Sequence, residues 1–362
     1  MQGVPSRVSA ACRIGAVNPA PARAFAPGRC TLVGEHVDYA DGVVVCMAVH
    51  LGVVVEVRPN SRPPSRSDAR GLPFAVALAL RERGLPVPPL DVEITATLPS
   101  GAGLSSSAAL CCATGAAVLR LLGERLRAVE LCDLALHAER DICGVPCGPL
   151  DQRAVVLSPA DGALVLDCRD GTTSTAPWPT GYVLAACHTG DTHDVGGDGY
   201  RTRRAEADAA LTLLGARSYR EVTPHQADAL AARDPLLARR ARHIVTETAR
   251  ALECAEALRS DDAPRVGALM TASHASLRDD YEVSTPALDR VVAAAQRVDG
   301  CLGARLVGAG FGGTAIALVR EDRAAACLDA MRAAVGASGG RGAWMLRPSP
   351  GLAALAPDVL TP

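Results

Sequence analysis

The 362-residue sequence predicts an α/β (α+β) protein of two domains. Three observations carry that expectation. β-Branched apolar runs alternate with Ala- and Leu-rich helical stretches in both halves of the chain. Hydrophobic residues make up 49% of the sequence without a long uninterrupted apolar run, which is enough for a sizeable soluble core. Each half also carries a glycine-rich segment, Pro99 to Ala109 and Gly308 to Gly313, where the backbone must turn or approach something closely.

In chain order, residues 1–22 read as a loosely ordered lead-in, because Pro recurs and no period of 2 or 3.6 appears. Gly42 to Val57 (GVVVCMAVHLGVVVEV) is apolar and β-branched, predicting two buried strands with a break near His50. Arg58 to Arg70, rich in Pro, Arg and Ser, is a surface loop. A helix over Leu72 to Arg83 and a strand of alternating polarity over Leu90 to Thr97 follow. Ser105 to Leu122 predicts a long apolar helix and Arg127 to Arg140 an amphipathic one. Strands are expected at Ala163 to Cys168, Tyr182 to His188, Ala304 to Val307 and Thr314 to Val319, with a nearly all-helical stretch over 201–297. The domains are expected at 23–185 and 186–362, the last segment packing back on the first domain.

Composition excludes several function classes. A formal charge of -2 leaves no basic footprint for nucleic acid or an anionic membrane. The first thirty residues hold no apolar signal core, and no run reaches the ~18 apolar residues of a membrane helix, so the expected location is cytoplasmic. Thirteen cysteines, scattered and without a C-x-x-C pair, read as reduced core residues. The histidines lack metal-ligand spacing.

The stretch Pro99 to Ala109 (PSGAGLSSSAA) lies between a predicted strand and a predicted helix. Small residues there let the backbone approach a ligand, and the free N–H groups and dipole of the helix entry suit an anion. No Lys follows the glycines, so this is not the Walker A loop, and G-x-G-x-x-G is incomplete. On its own the stretch reads first as a flexible, well-capped turn.

Three ordered blocks resemble those of the GHMP kinases, and within them the galactokinase branch. They are Pro27 to Met47 (PGRCTLVGEHVDYADGVVVCM), Leu98 to Ala109, and Leu306 to Val319 (LVGAGFGGTAIALV). Between them, Val145 to Gln152 (VPCGPLDQ) and Ser273 to Leu288 (SHASLRDDYEVSTPAL) are similar to further galactokinase stretches. The resemblance implies a two-domain GHMP kinase fold. Its N-terminal mixed-sheet domain would resemble ribosomal protein S5 domain 2, its C-terminal domain would be ferredoxin-like α+β, and the active site would lie in the cleft between them.

The resemblance also implies ATP and Mg2+ as cofactors and assigns residues by matched position. Asp151 and Arg29 would be the catalytic pair, with the guanidinium keeping the carboxylate ionised and stabilising the transferring phosphoryl group. Ser107 and Glu139 would ligate magnesium, as hard oxygen donors. Ser100, Gly101, Gly103, Leu104, Ser105, Ser106 and Ser107 would cradle the triphosphate. Glu35, His36, Asp38, Gly148 and Tyr200, together with Arg29 and Asp151, would contact the sugar.

The expected reaction is phosphorylation of the anomeric (C1) hydroxyl of a sugar, D-galactose first. Another sugar or a C7 cyclitol is the alternative acceptor, and a non-catalytic sugar- and nucleotide-binding regulator the alternative class. The expected partner is that small molecule, with no nucleic acid, no membrane, and a monomer or weak homodimer. The chain departs from galactokinases in having no Trp or Tyr over 40–103, where an aromatic side chain usually helps enclose the adenine.

Overall fold

The computed structural model describes residues 20–60, 71–99, 101–191, 198–336 and 342–362. Its first sheet is built on two long strands, β1 (Ala22–Val33) and β2 (Val43–Pro59), paired antiparallel along most of their length. The Val-dense β2 continues through the break expected near His50. The interruption is a bulge, because the register jumps between Pro27 opposite Gly52 and Gly28 opposite Val49. After α1 (Leu72–Glu82), β3 (Leu90–Ala96) pairs with the far half of β2. Its alternating polarity does not translate into one buried face. Val92 and Ile94 are both exposed on this edge strand, which pairs only with β2.

Helix α2 (Ser106–Leu122) packs on β1 and β2. It is surrounded by α1, α3 (Ala128–His137) and α4 (Leu150–Leu157), which is why its Ala and Leu residues are buried on nearly every side. The two-residue strand β4 (Leu126–Arg127) separates α2 from α3. The amphipathic helix expected to reach Arg140 ends as α3 at His137 and continues as one π-helical turn, Ala138–Ile142. Strands β5 (Gly162–Asp167) and β6 (Thr173–Pro177) complete the first sheet, in the order β1-β2-β5-β6.

The second sheet begins with β7 (Tyr182–His188), so a domain division at 185/186 falls inside a strand. Every residue of β7 pairs with β9 (Thr314–Arg320), which assigns the whole strand to the second half. Helices α5 (Asp198–Leu214), α6 (Pro224–Ala229), α7 (Pro235–Arg259), α8 (Ala263–Asp279) and α9 (Pro286–Gln296) intervene, followed by β8 (Cys301–Val307) beside β9. Pro at the first turn and a side-chain cap from Asp234, Asp262 or Thr285 start α7, α8 and α9 where the sequence breaks its period. Helix α10 (Ala324–Val335) leads to β10 (Ala343–Leu346), giving the antiparallel order β10-β7-β9-β8.

The chain then returns to the first half. Ser349 N–H donates to Ala48 O, α11 (Leu352–Leu355) lies on α4 and β1, and β11 (Leu360–Thr361) pairs with β4. No described helix is long and apolar enough to cross a membrane. The described cysteines are all free and most are buried.

Candidate active site

Between the two sheets lies a cavity of about 330 Å³ lined by Arg29, Glu35, His36, Asp38, Gly101, Gly103, Ser105 to Ser107, Glu139, Gly148, Asp151 and Tyr200. It gathers residues from β1, the turn after β1, the entry of α2, the π-helical turn, the entry of α4 and the start of α5. All the expected site residues except Leu104 and Ser100 line it. Leu104 is buried in the core beneath the loop, and Ser100 lies outside the described residues.

Arg29 is 6% exposed on β1. Its Nε donates to Asp151 Oδ1 at 2.8 Å and its Nη2 lies 2.7 Å from the same oxygen. Its Nη1 donates to Gly103 O, and its backbone N–H donates to Leu104 O. Burial opposes the guanidinium charge, but Asp151 and Glu35 outweigh it and raise the Arg29 pKa. Asp151 sits in the first turn of α4.

In the Gly/Ser loop, Gly101, Gly103 and Ser105 take positive φ values of 74°, 69° and 57°. Ser105 does not cap α2, and its buried Oγ has no hydrogen-bond partner. The hydroxyl run is therefore not spent on capping, and no acidic residue in the first turn repels an anion. Glycine is required at 103, because a Cβ there would meet Val307 O at 2.9 Å in a left-handed backbone.

Glu139, 4% exposed, accepts from Gln152 Nε2 at 2.8 Å and is hydrogen-bonded by Ser107. Burial raises its pKa, with Ser107 and Gln152 opposing. A buried carboxylate next to a hydroxyl is a hard-oxygen pair, so these residues fit a magnesium ion.

On the other side of the Arg29–Asp151 pair, the turn after β1 meets the second half. Glu35 Oε1 accepts from Gly308 N at 2.7 Å and lies 3.8 Å from Arg305 Nη2. Burial raises the Glu35 pKa, against Arg305 and Arg29. His36, with φ 61°, has both ring nitrogens engaged by protein, Nδ1 by Tyr39 OH at 3.0 Å and Nε2 by Ala309 O at 2.9 Å. The imidazole is thus not free to hydrogen-bond a ligand through nitrogen. Asp38 and Gly148 are so close that a Cβ on Gly148 would overlap Asp38 Oδ2, which explains the glycine. The Tyr200 ring stacks at a tilt on His36 and edge-on to Tyr39.

Several residues around the site were not singled out from the sequence. Gln152 directly follows Asp151 in the VPCGPLDQ block, and nothing in its local pattern marks its contact with Glu139. Tyr39 was likewise inside its block. Arg305 left no signal because a lone Arg in a short strand resembles a surface position, and His243 and Glu247 because they stand among the Arg, Thr and Glu residues of α7. All three are 0% exposed. They donate to Thr31 O and Leu32 O, donate to Glu35 O, and accept from Gly34 N, respectively. The segment 192–197 ahead of Tyr200 lies outside the described residues.

Two sheets with a Gly/Ser loop at a helix entry and a buried guanidinium paired with a half-buried carboxylate in the cleft are the arrangement of a GHMP kinase. Family models agree: GHMP kinases N terminal domain matches residues 71–158, GHMP kinases C terminal matches 254–337, and the galactokinase galactose-binding signature matches 14–59. A galactokinase of Roseiflexus sp. (strain RS-1) is 40% identical over 332 residues, 82% of this chain and 83% of that one. A galactokinase of Mycobacterium tuberculosis is 38% identical over 339 residues, covering 87% and 93%. The chain belongs to the galactokinase family. A Lactococcus lactis galactokinase solved in complex with galactose superposes with a TM-score of 0.84 at 28% identity, over 91% of this chain and 94% of that one. A mevalonate kinase from L. major, with a TM-score of 0.66 at 20% identity over 91% of this chain and 97% of that one, shares the fold.

Proposed function

We propose that this chain transfers the γ-phosphoryl group of ATP to the anomeric (C1) hydroxyl of D-galactose, giving α-D-galactose 1-phosphate and ADP. The observation that carries this reading is the place of the Arg29–Asp151 pair. It stands between the Gly/Ser loop with Glu139 on one side and the Glu35, Asp38, Tyr200 cluster on the other, within one cavity.

Both Arg29 contacts fall on Asp151 Oδ1, so Oδ2 is the oxygen available to orient the C1 hydroxyl and take its proton. The hydroxyl oxygen then bonds to the γ-phosphorus as the bond to the β–γ bridging oxygen breaks, and ADP carries that electron pair away. The Arg29 guanidinium stabilises negative charge on the transferring group. Gly101, Gly103 and the N–H groups at the entry of α2 cradle the phosphates. Ser107 and Glu139 would hold Mg2+, which when bound supplies charge neutralisation on the phosphate oxygens. Gly148 lets the sugar approach through its backbone. The enzyme would act in the cytosol, as a monomer or weak homodimer.

An ADP-release assay over galactose, glucose, N-acetylgalactosamine, arabinose and C7 cyclitols, each with ATP and GTP, tests the reading. Galactose with ATP is expected to exceed every other acceptor at least about tenfold in kcat/KM, the discrimination expected of a hydroxyl-reading pocket. A cyclitol above galactose would replace the acceptor. Tight binding with no turnover would replace the enzyme by a regulator.

Asp38 supplies a pH-dependent test. Without sugar its carboxyl is pushed up to about 7, first by burial and then by the Asp151 and Glu35 carboxylates. A folded value above the unfolded value of about 3.9 means that the fold prefers the neutral acid. The stability this group confers is complete below the unfolded value and declines as pH rises toward 7. Sugar hydroxyls donating to Asp38 favour its charged form, so sugar binding releases a proton and weakens as pH falls below 7. Calorimetry at pH 6.5 in two buffers of different ionisation heat is expected to show that release. Asp38→Asn abolishes it and raises the melting temperature of the sugar-free protein at pH 8 by about 2–5 °C. Equal heats in both buffers would separate Asp38 from the sugar.

A further inference from the structure

The turn after β1 grips the glycine-rich turn between β8 and β9 at two successive residues. Glu35 Oε1 accepts from Gly308 N, and His36 Nε2 lies 2.9 Å from Ala309 O. A carbonyl oxygen only accepts, so Nε2 carries the proton. Burial pushes the His36 pKa down to about 4, so the ring is neutral at pH 7 and Nδ1 is an acceptor. The Tyr39 hydroxyl, 3.0 Å from Nδ1, therefore donates to it. Tyr281 OH lies 2.8 Å from Tyr39 OH, and because the Tyr39 proton is directed to Nδ1, Tyr39 accepts there; the Tyr281 proton is shared with the more distant Arg203 O at 3.4 Å. Tyr281, fully buried just beyond α8, packs tilted on His36 at 4.9 Å and on His243 at 4.4 Å. Four groups thus form one directed chain, Tyr281 to Tyr39 to His36 to Ala309, crossing from the second half to the first and back.

The far end of that chain rests on the phosphate loop. A Cβ at Gly308 would meet Gly103 Cα at 3.1 Å, and one at Gly103 would meet Val307 O at 2.9 Å, so the two backbones are in direct contact. Whatever seats Gly308 and Ala309 also seats Gly103, whose carbonyl holds Arg29.

We infer that Tyr39 and Tyr281 are positioning residues for the phosphate loop: their hydroxyls hold His36 as its Nε2–H tautomer, which grips Ala309 and keeps the Gly308–Ala309 turn seated on Gly103. Neither tyrosine touches a reacting atom. The inference deepens the kinase reading and rests on it.

The ring nitrogens of His36, resolved by 15N NMR of the intact protein and assigned with His36→Asn, read the tautomer directly. A protonated Nε2 and a bare Nδ1 are expected. Tyr39→Phe removes one hydroxyl and no carbon, and circular dichroism checks its fold. Without sugar, its Kd for ADP with Mg2+ is expected to weaken about five- to tenfold, the scale of one buried hydrogen bond. Its His36 signals move toward mixed tautomers, while its Kd for galactose without nucleotide changes less. Tyr281→Phe shifts ADP binding in the same direction and by less. An Nδ1–H tautomer in the intact protein, or an ADP Kd within twofold in Tyr39→Phe, overturns the inference. Turnover is a separate readout: a protein that phosphorylates no sugar yet shows the expected tautomer and weakened ADP binding removes the kinase reading and leaves the relay standing.

Discussion

Asp151→Asn is expected to fold normally, bind ADP as the unmodified protein does, and lose at least ~100-fold in kcat. The amide is isosteric with the carboxylate and still accepts the Arg29 hydrogen bond, so the entry of α4 and the cavity wall persist. What is lost is the basic oxygen for the C1 hydroxyl and the negative charge that Arg29 faces. Nucleotide binding survives because the Gly/Ser loop is held by Arg29 Nη1 on Gly103 O and by the backbone bond to Leu104, neither of which involves residue 151. Steady-state turnover with a parallel ADP titration checks both halves. Near-normal kcat would remove Asp151 from the mechanism.

Arg305→Met is expected to cost about 3 kcal/mol or more, the largest stability loss among the substitutions considered. Arg305 is 0% exposed on β8, where Nη1 donates to Leu32 O at 2.8 Å and reaches Thr31 O at 3.4 Å. Its guanidinium opposes the effect of burial on Glu35. Methionine fills most of the volume, so the loss reports the stranded carbonyls and the uncompensated Glu35 rather than a void. A melting temperature at least roughly 5 °C lower is the expected reading, with weaker sugar binding because the Glu35 turn loosens. An unchanged melting temperature would mean that the two halves do not depend on this contact.

The Val-dense β2, the Ala- and Leu-rich α2 and the Pro- and Asp-punctuated helices after Tyr200 were legible because a buried strand or helix needs that pattern to fold at all. Their ends were less so. The break at His50 is a bulge, since β1 continues as its partner past the irregular residue. The strand β7 straddles the expected domain division, because strand pairing, which assigns it, leaves no local mark. Glu139 fell beyond the end of α3, on a π-helical turn whose hydrogen-bond pattern has no sequence signature.

The sequence by itself determined which chemistry-bearing residues the chain owns and in what order. Glycines at 101 and 103 meet a local demand of backbone freedom and the hydroxyls at 105–107 stand at a helix entry, whereas Arg29, Glu139 and Asp151 are marked by their place in the blocks that resemble the family and Gly148 answers to Asp38, far away in the chain. Only the tertiary structure decided their partners. It spent both nitrogens of His36 on Tyr39 and Ala309, and aimed both Arg29 contacts at one oxygen of Asp151, 122 positions away. It also brought Arg305 back to the strand before the sugar turn. Such contacts join positions far apart in the chain, and long-range pairing is set by how elements pack, which a local pattern of residues does not encode.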